Sequence, residues 1–167
     1  MGGGASTLVD ELLDRGFKHL TVVDLAESSL SIARARLGSR ADRVRWVKED
    51  ARRLHLQCPV DLWHDRAVFH FLTEPADQEA YLSCLREAIR PGGHVIIATF
   101  GPQGPQKCSG LPVERYDAMK LSERLGPEFK LLKSLEKLHA TPKGATQQFT
   151  YCLFRRTSKL EARQVAL

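Results

Sequence analysis

Apolar residues recur every third or fourth position in some stretches of the chain and every second in others. That switching period predicts alternating helices and strands. Leu8, Val9, Leu12 and Leu13 set a helix over Thr7–Arg15, with Thr7 and Asp10 spaced as a capping box and Gly16 as its stop. His19–Asp24 (HLTVVD) reads as a short β-branched strand that closes on an acid. Leu30, Ile32, Ala33 and Leu37 return to helical spacing over Ser28–Leu37, ended by Gly38. Val44–Lys48 is the next strand, followed by Glu49 and Asp50, and Pro59 introduces another over Val60–Asp65 that runs into Arg66.

The second half continues the alternation. A long helix is expected from Pro75, with Tyr81, Leu82, Leu85 and Ile89 inward, halted by Pro91-Gly92-Gly93. His94–Phe100 (HVIIATF) is the most continuous apolar strand and is expected to be central in its sheet. Gly101–Pro112 is rich in turn residues and predicts a mobile surface loop, and Tyr116–Leu125 predicts a short helix. Lys130–His139 and Gln147–Arg155 form a terminal hairpin joined through Thr141-Pro142-Lys143-Gly144. The expectation is one α/β domain over 1–156, with a polar, fraying tail over 157–167 and neither repeats nor linkers.

Composition narrows the class. A length of 167 residues suits one domain, and 43% hydrophobic with 27% charged residues excludes the disordered class. No stretch approaches the roughly 18–20 apolar residues of a membrane span. Met1–Ser6 lacks the features of a signal peptide, so a cytoplasmic protein is expected. The net charge of +5 gathers in Arg34, Arg36, Arg40, Arg43, Arg45, Lys48, Arg52 and Arg53. No aromatic residues interleave with these cations, so they read as a solvated face rather than a nucleic-acid platform. Cys58, Cys84, Cys108 and Cys152 have no metal-ligand spacing and read as reduced thiols; no metal site is expected.

The chemistry concentrates at strand ends. Gly2-Gly3-Gly4-Ala5-Ser6 precedes a helix, where glycines let backbone approach a ligand and free N–H groups point at it. About twenty residues on, Asp24 closes a strand, as an acid gripping ribose hydroxyls does in nucleotide-binding folds. Asp50 repeats the arrangement, offering an acceptor beside the N–H of Ala51 for an amino-purine edge.

With Arg90-Pro91-Gly92-Gly93 before the apolar strand and the closing hairpin, this set resembles the class I S-adenosylmethionine-dependent methyltransferases. The resemblance runs to about Arg156. It implies a Rossmann-like, doubly wound, mostly parallel sheet of seven strands with a C-terminal antiparallel hairpin. It also implies S-adenosyl-L-methionine as cofactor, held by Gly2, Gly3, Gly4, Asp24 with the adjoining Leu25, and Asp50 with Ala51. The stretch from Val60 to Leu72 is similar to small-molecule methyltransferases of bacterial type. Asp65-Arg66-Ala67 also stands where elongation-factor lysine methyltransferases carry Asp-Lys-Gly. The resemblance thus implies a small molecule or a protein side chain as acceptor.

A sulfonium methyl arrives activated, so catalysis is mostly in-line positioning and exclusion of water. The expected catalytic residues are His64, Asp65 and Arg66, with His64 also against the cofactor and Arg66 able to grip a carboxylate or phosphate. His70, His139 and Tyr116 are further substrate-side candidates. Trp63, Phe69 and Phe71 either wall the pocket or pack the core. Two other readings stay open. A nicotinamide-dependent oxidoreductase shares the glycine turn and Asp24, but Thr7 stands where its third glycine belongs. The other is an impaired remnant that acts, if at all, by binding. In the family a first strand precedes the glycine motif, and here that strand is expected to be absent from the chain. Each buried apolar side chain lost with it would forfeit about 1.5–3 kcal/mol. Weak cofactor binding is the corresponding expectation.

Overall fold

The computed structural model describes residues 1–141 and 144–157. Contacts group these residues into two compact units, Met1–Leu54 and His55 onward.

In the first unit, α1 (Leu8–Asp14) and α2 (Glu27–Leu37) accompany two parallel strands, β1 (Leu20–Asp24) and β2 (Val44–Lys48). The strands run in register from Leu20 opposite Val44 to Asp24 opposite Lys48. Val9, Leu13, Val22, Leu30, Leu37 and Val44 form the core, so the helical and strand periods read from the sequence converge on one apolar interior. Gly16 ends α1 at φ 84°, its N–H on the Leu13 carbonyl and that of Phe17 on Leu12. The capping box does not form. Thr7 makes no side-chain cap, Ser6 Oγ accepts the Leu8 N–H instead, and the Asp10 carboxylate is drawn away to Arg36. A 3₁₀ turn over Gly38–Arg43, unsignalled in the sequence, leads into β2.

The second unit is built on a four-stranded sheet in the order β3-β4-β8-β7. Its strands are β3 (Val60–Arg66), β4 (Ile89–Phe100), β7 (Phe129–Ala140) and β8 (Thr146–Arg156). β3 and β4 are parallel, while β8 runs antiparallel to both β4 and β7. Only β8 therefore opposes the common direction of this sheet, and the fold is α/β with the expected closing hairpin. β4 lies inside the sheet, as its continuous apolar run requires. Six longer strands are found among the described residues where the resemblance implies seven, and they lie in sheets of two and four.

Two boundaries differ from expectation. Helix α3 (Pro75–Ala88) stops before the Pro-Gly-Gly corner, because Ile89 pairs with Val60 and already belongs to β4. The corner is a distortion inside that strand. A side chain at Gly93 would sit 2.9 Å from the Arg90 carbonyl and 3.1 Å from that of Asp61, so close backbone approach demands glycine there. The expected loop over Gly101–Pro112 contains a small hairpin, β5 (Lys107–Cys108) with β6 (Leu111–Pro112), turned by Ser109 and Gly110 at φ 51° and 81°. Arg115 fastens the same segment through the carbonyls of Pro102 and Gly104. Helix α4 (Ala118–Leu125) is capped by Asp117, which leaves Tyr116 outside it. Pro142 and Lys143 of the hairpin turn, and the tail from residue 158, lie outside the described residues.

Candidate functional site

In the first unit the glycine stretch is a built turn. The Gly3 N–H donates to the Val23 carbonyl at 3.2 Å, and the Gly3 carbonyl accepts the Ser6 N–H at 2.9 Å. A Cβ on Gly3 would stand 2.6 Å from Val22 Cγ1. On Gly4, at φ 24°, it would stand 2.8 Å from Asp24 Oδ2 and 3.1 Å from Ser29 Cβ. A side chain at Gly3 would have to displace Val22, and one at Gly4 the Asp24 carboxylate, the latter at a φ that other residues rarely adopt. Gly2, at φ 59°, also takes the left-handed backbone that glycine tolerates.

Asp24 divides its two oxygens. Oδ1 accepts the Ala26 N–H at 2.9 Å and so shapes the entry to α2. Oδ2, against Gly4, accepts no hydrogen bond among the described residues. Leu25 beside it is 68% exposed. Asp50 is placed differently from the expectation. Both of its oxygens face Arg52, with Oδ1 3.0 Å and Oδ2 3.1 Å from Nε, and Nη2 2.5 Å from Oδ2. The hydrogen bonds from Arg52 hold the Asp50 carboxyl below its usual range. Ala51 is buried, and its N–H makes no hydrogen bond among the described residues.

Arg36 carries no motif signal, yet it organises this turn. From the last turn of α2 its Nη1 donates to the Ala5 carbonyl at 3.0 Å and Nη2 to the Ser6 carbonyl at 2.7 Å. Nε and Nη2 also grip Asp10, the latter at 2.7 Å from Oδ2. One planar guanidinium thus ties the loop after the glycines to the first turn of α1, a task its fork of donors suits. The same hydrogen bonds lower the Asp10 pKa.

In the second unit the triplet His64, Asp65 and Arg66 ends β3, and the structure separates its members. Asp65 is fully buried. Its Oδ2 accepts the Tyr81 hydroxyl at 2.6 Å and its Oδ1 the N–H groups of Val68 and Phe69 at 3.0 and 3.4 Å. Tyr81 in turn accepts the indole N–H of Trp63 at 2.9 Å. Burial pushes the Asp65 carboxyl above its ordinary range, against these hydrogen bonds. Asp65 is the post on which the chain turns after β3, where Ala67 takes φ 64°. Trp63 and Phe69 are core aromatics, the latter tilted against the rings of Tyr81 and Tyr116.

His64 is half-buried, and desolvation with nearby positive charge lowers its pKa to about 4. His70 is fully buried between Phe71 and Phe100 and is lowered to about 4 by the same two causes. Its Nδ1 accepts the Phe100 N–H at 3.3 Å. Both imidazoles are therefore neutral at physiological pH. Arg66 is exposed, with its guanidinium 4.6 Å over the Phe149 ring and Nε on the Tyr151 hydroxyl at 3.1 Å. Tyr116 is buried, its hydroxyl on Gln78 at 3.1 Å, whereas His139 is exposed on β7. Two surface cavities, of about 360 and 520 Å³, lie beside α4 and share Glu114 and Lys120. Neither is lined by His64, Asp65 or Arg66. No cluster of three or more His, Cys, Asp or Glu residues able to hold a metal occurs among the described residues, and none of their helices is long and apolar enough to cross a membrane.

Comparison with known proteins agrees with this layout. The family described as "Methyltransferase domain" matches residues 1–95. Methyltransferase tpcM of Aspergillus fumigatus is 31% identical over 102 residues, which are 61% of this chain and 30% of that protein. The chain thus corresponds to under a third of that relative's length. Among solved structures, N-methyltransferase NodS of Bradyrhizobium japonicum is similar at a TM-score of 0.74 and 16% identity, over 93% of this chain and 83% of that one. The 1,6-didemethyltoxoflavin-N1-methyltransferase of Burkholderia thailandensis, with 1,6-didemethyltoxoflavin and S-adenosylhomocysteine bound, gives 0.72 at 23% identity, over 94% and 69%. At these identities the two structures establish the shared fold.

Proposed function

The chain belongs to the methyltransferase domain family, and on that premise we propose that it transfers a methyl group from S-adenosyl-L-methionine to a small-molecule or protein acceptor. The observation that carries this reading is the glycine turn of the first unit. Gly4, at φ 24°, brings side-chain-free backbone against the Asp24 carboxylate, an arrangement that lets a cofactor approach both the backbone and the acid. Asp24 Oδ2 is left over to accept a ribose hydroxyl, and Leu25 offers an exposed apolar side chain to the purine face. The Ala51 amide supplies a donor for the purine edge. Asp50, engaged by Arg52, shapes that turn through the Arg52 N–H on its Oδ1.

The cofactor supplies an already activated methyl group, so the protein has to position and desolvate rather than activate. His64, with a pKa of about 4, is a weak base at neutral pH. Asp65 acts on the acceptor side through the turn it holds, not by contact, because its carboxyl is enclosed.

Isothermal titration with S-adenosylhomocysteine and, separately, with NAD tests the reading. Saturable binding of S-adenosylhomocysteine that falls at least tenfold in Gly4→Ala is the expected result. Binding of NAD alone would overturn it in favour of an oxidoreductase.

A further inference from the structure

Asp24 has one open oxygen where a ribose presents two hydroxyls. Its Oδ1 already accepts the Ala26 N–H at 2.9 Å, which fixes the carboxylate at the entry to α2. Oδ2 accepts no hydrogen bond among the described residues. A cis-diol that meets this acid therefore finds an open acceptor for its first hydroxyl, and the second calls for another polar group close by. Ser29 stands at that place. A point one bond from the Gly4 Cα, in the direction of a side chain, lies 2.8 Å from Asp24 Oδ2 and 3.1 Å from Ser29 Cβ. The acid and the serine thus border one spot on the glycine turn.

The local sequence explains how Ser29 comes there. Asp24 closes β1, Ala26 is the N-cap of α2, and Ser29 lies in the first turn of that helix with its N–H on the Ala26 carbonyl at 3.1 Å. All of these groups, with Gly4, belong to the first unit. Ser29 is half-buried, and its hydroxyl makes no hydrogen bond among the described residues. A hydroxyl both donates and accepts, so it can pair with a ribose hydroxyl in either sense. Close packing on Gly4 asks only for a small side chain, a demand that alanine would meet with a better helix propensity. The hydroxyl is the part that packing does not use.

We propose that Ser29 completes a diol clamp, in which Asp24 Oδ2 accepts one hydroxyl of the cofactor ribose and the Ser29 hydroxyl pairs with the other. This deepens the methyl-transfer reading and rests on it. The clamp makes the intact cis-diol a condition of tight binding. A nucleoside that lacks the hydroxyl held by Ser29 forfeits one hydrogen bond, and one that carries a substituent there meets Ser29 and the Gly4 backbone at close range.

The test is isothermal titration of S-adenosylhomocysteine, and of its 2′-deoxy and 3′-deoxy analogues, into the full chain. Wild-type and Ser29→Ala proteins are compared, with folding checked by circular dichroism. The exchange keeps Cβ against Gly4 and removes only the hydroxyl. It should weaken S-adenosylhomocysteine about three- to tenfold, as expected for one neutral hydrogen bond. The same loss should persist with one deoxy analogue and vanish with the other, which identifies the hydroxyl held by Ser29. Equal affinity of the two proteins for S-adenosylhomocysteine overturns the proposal. So does a loss that persists with both analogues, because the serine then acts through packing alone. Titration of NAD, whose riboses carry the same diol, separates the two readings. Wild-type binding of S-adenosylhomocysteine with no effect of Ser29→Ala removes the clamp but leaves methyl transfer standing. Binding of NAD in its place, weakened by Ser29→Ala, removes methyl transfer and leaves the clamp. Binding of neither ligand overturns both.

Discussion

Lowering the pH should destabilise the second unit through His70, by an amount that follows from its surroundings. The ring is fully buried between Phe71 and Phe100, and its pKa falls from 6.5 to about 4. A base whose folded-state pKa is depressed binds fewer protons folded than unfolded between the two values. The stabilisation is complete above the unfolded pKa and is lost as the pH falls from 6.5 towards 4. Between pH 7.5 and 5.0 this linkage amounts to about 2 kcal/mol for the one group. Asp65 works in the opposite sense, because its raised carboxyl takes up a proton in the folded state as the pH falls. His64 adds a loss of its own, so the wild-type profile alone does not isolate His70.

His70→Phe does isolate it. The variant keeps an aromatic ring but leaves the Phe100 N–H without its acceptor, costing about 1–3 kcal/mol at every pH. It also removes the titrating group, so the loss between pH 7.5 and 5.0 should be smaller than in the wild type by about 2 kcal/mol. The contributions of Asp65 and His64 cancel in that difference. Urea denaturation followed by the fluorescence of buried Trp63, in a Trp46→Phe background, reads the second unit specifically. Equal losses in the two proteins would refute the argument that the buried imidazole is neutral.

Three further outcomes follow from the same geometry. Gly4→Ala places a methyl group 2.8 Å from Asp24 Oδ2 and forces a side chain to φ 24°, so S-adenosylhomocysteine affinity should fall at least tenfold by calorimetry; an unchanged affinity would show that the turn does not meet the cofactor. Arg36→Lys keeps the charge but loses the fork that spans Ala5, Ser6 and Asp10, and should weaken S-adenosylhomocysteine binding several-fold while circular dichroism stays native. Equal affinity would assign Arg36 to the helices alone. Tyr81→Phe strips a hydrogen bond from both buried Asp65 and Trp63, so the urea midpoint should drop by the equivalent of about 1–3 kcal/mol for each unpaired group, and a loss within experimental error would contradict the network.

What could be read from the sequence was what neighbouring residues decide together. Gly16 and Gly38 stopped the helices where the periodicity ended, and the β-branched run before Asp24 formed the strand that brings this acid to Gly4. Arg36 could not be read. Its acceptors lie 26 to 31 residues away, and nothing in its own helix distinguishes it from Arg34. The Pro-Gly-Gly corner reads locally as the end of a helix but lies inside β4. Pairing of Ile89 with Val60 is a long-range contact that overrides the local stop signal.

The triplet at the end of β3 is the instructive case, because its signal was present and local. Successive side chains of a strand point to opposite faces, so His64 and Arg66 must share one face while Trp63 and Asp65 share the other. The structure follows that rule: Trp63 and Asp65 are buried on Tyr81, while His64 is half-buried and Arg66 exposed. Strand period divides these three adjacent polar residues between two faces. With the period applied first, Asp65 goes with the indole beside it in sequence, as an acid whose hydrogen bonds hold a turn. His64 and Arg66 remain together on the other face, one half-buried and neutral and the other exposed and charged.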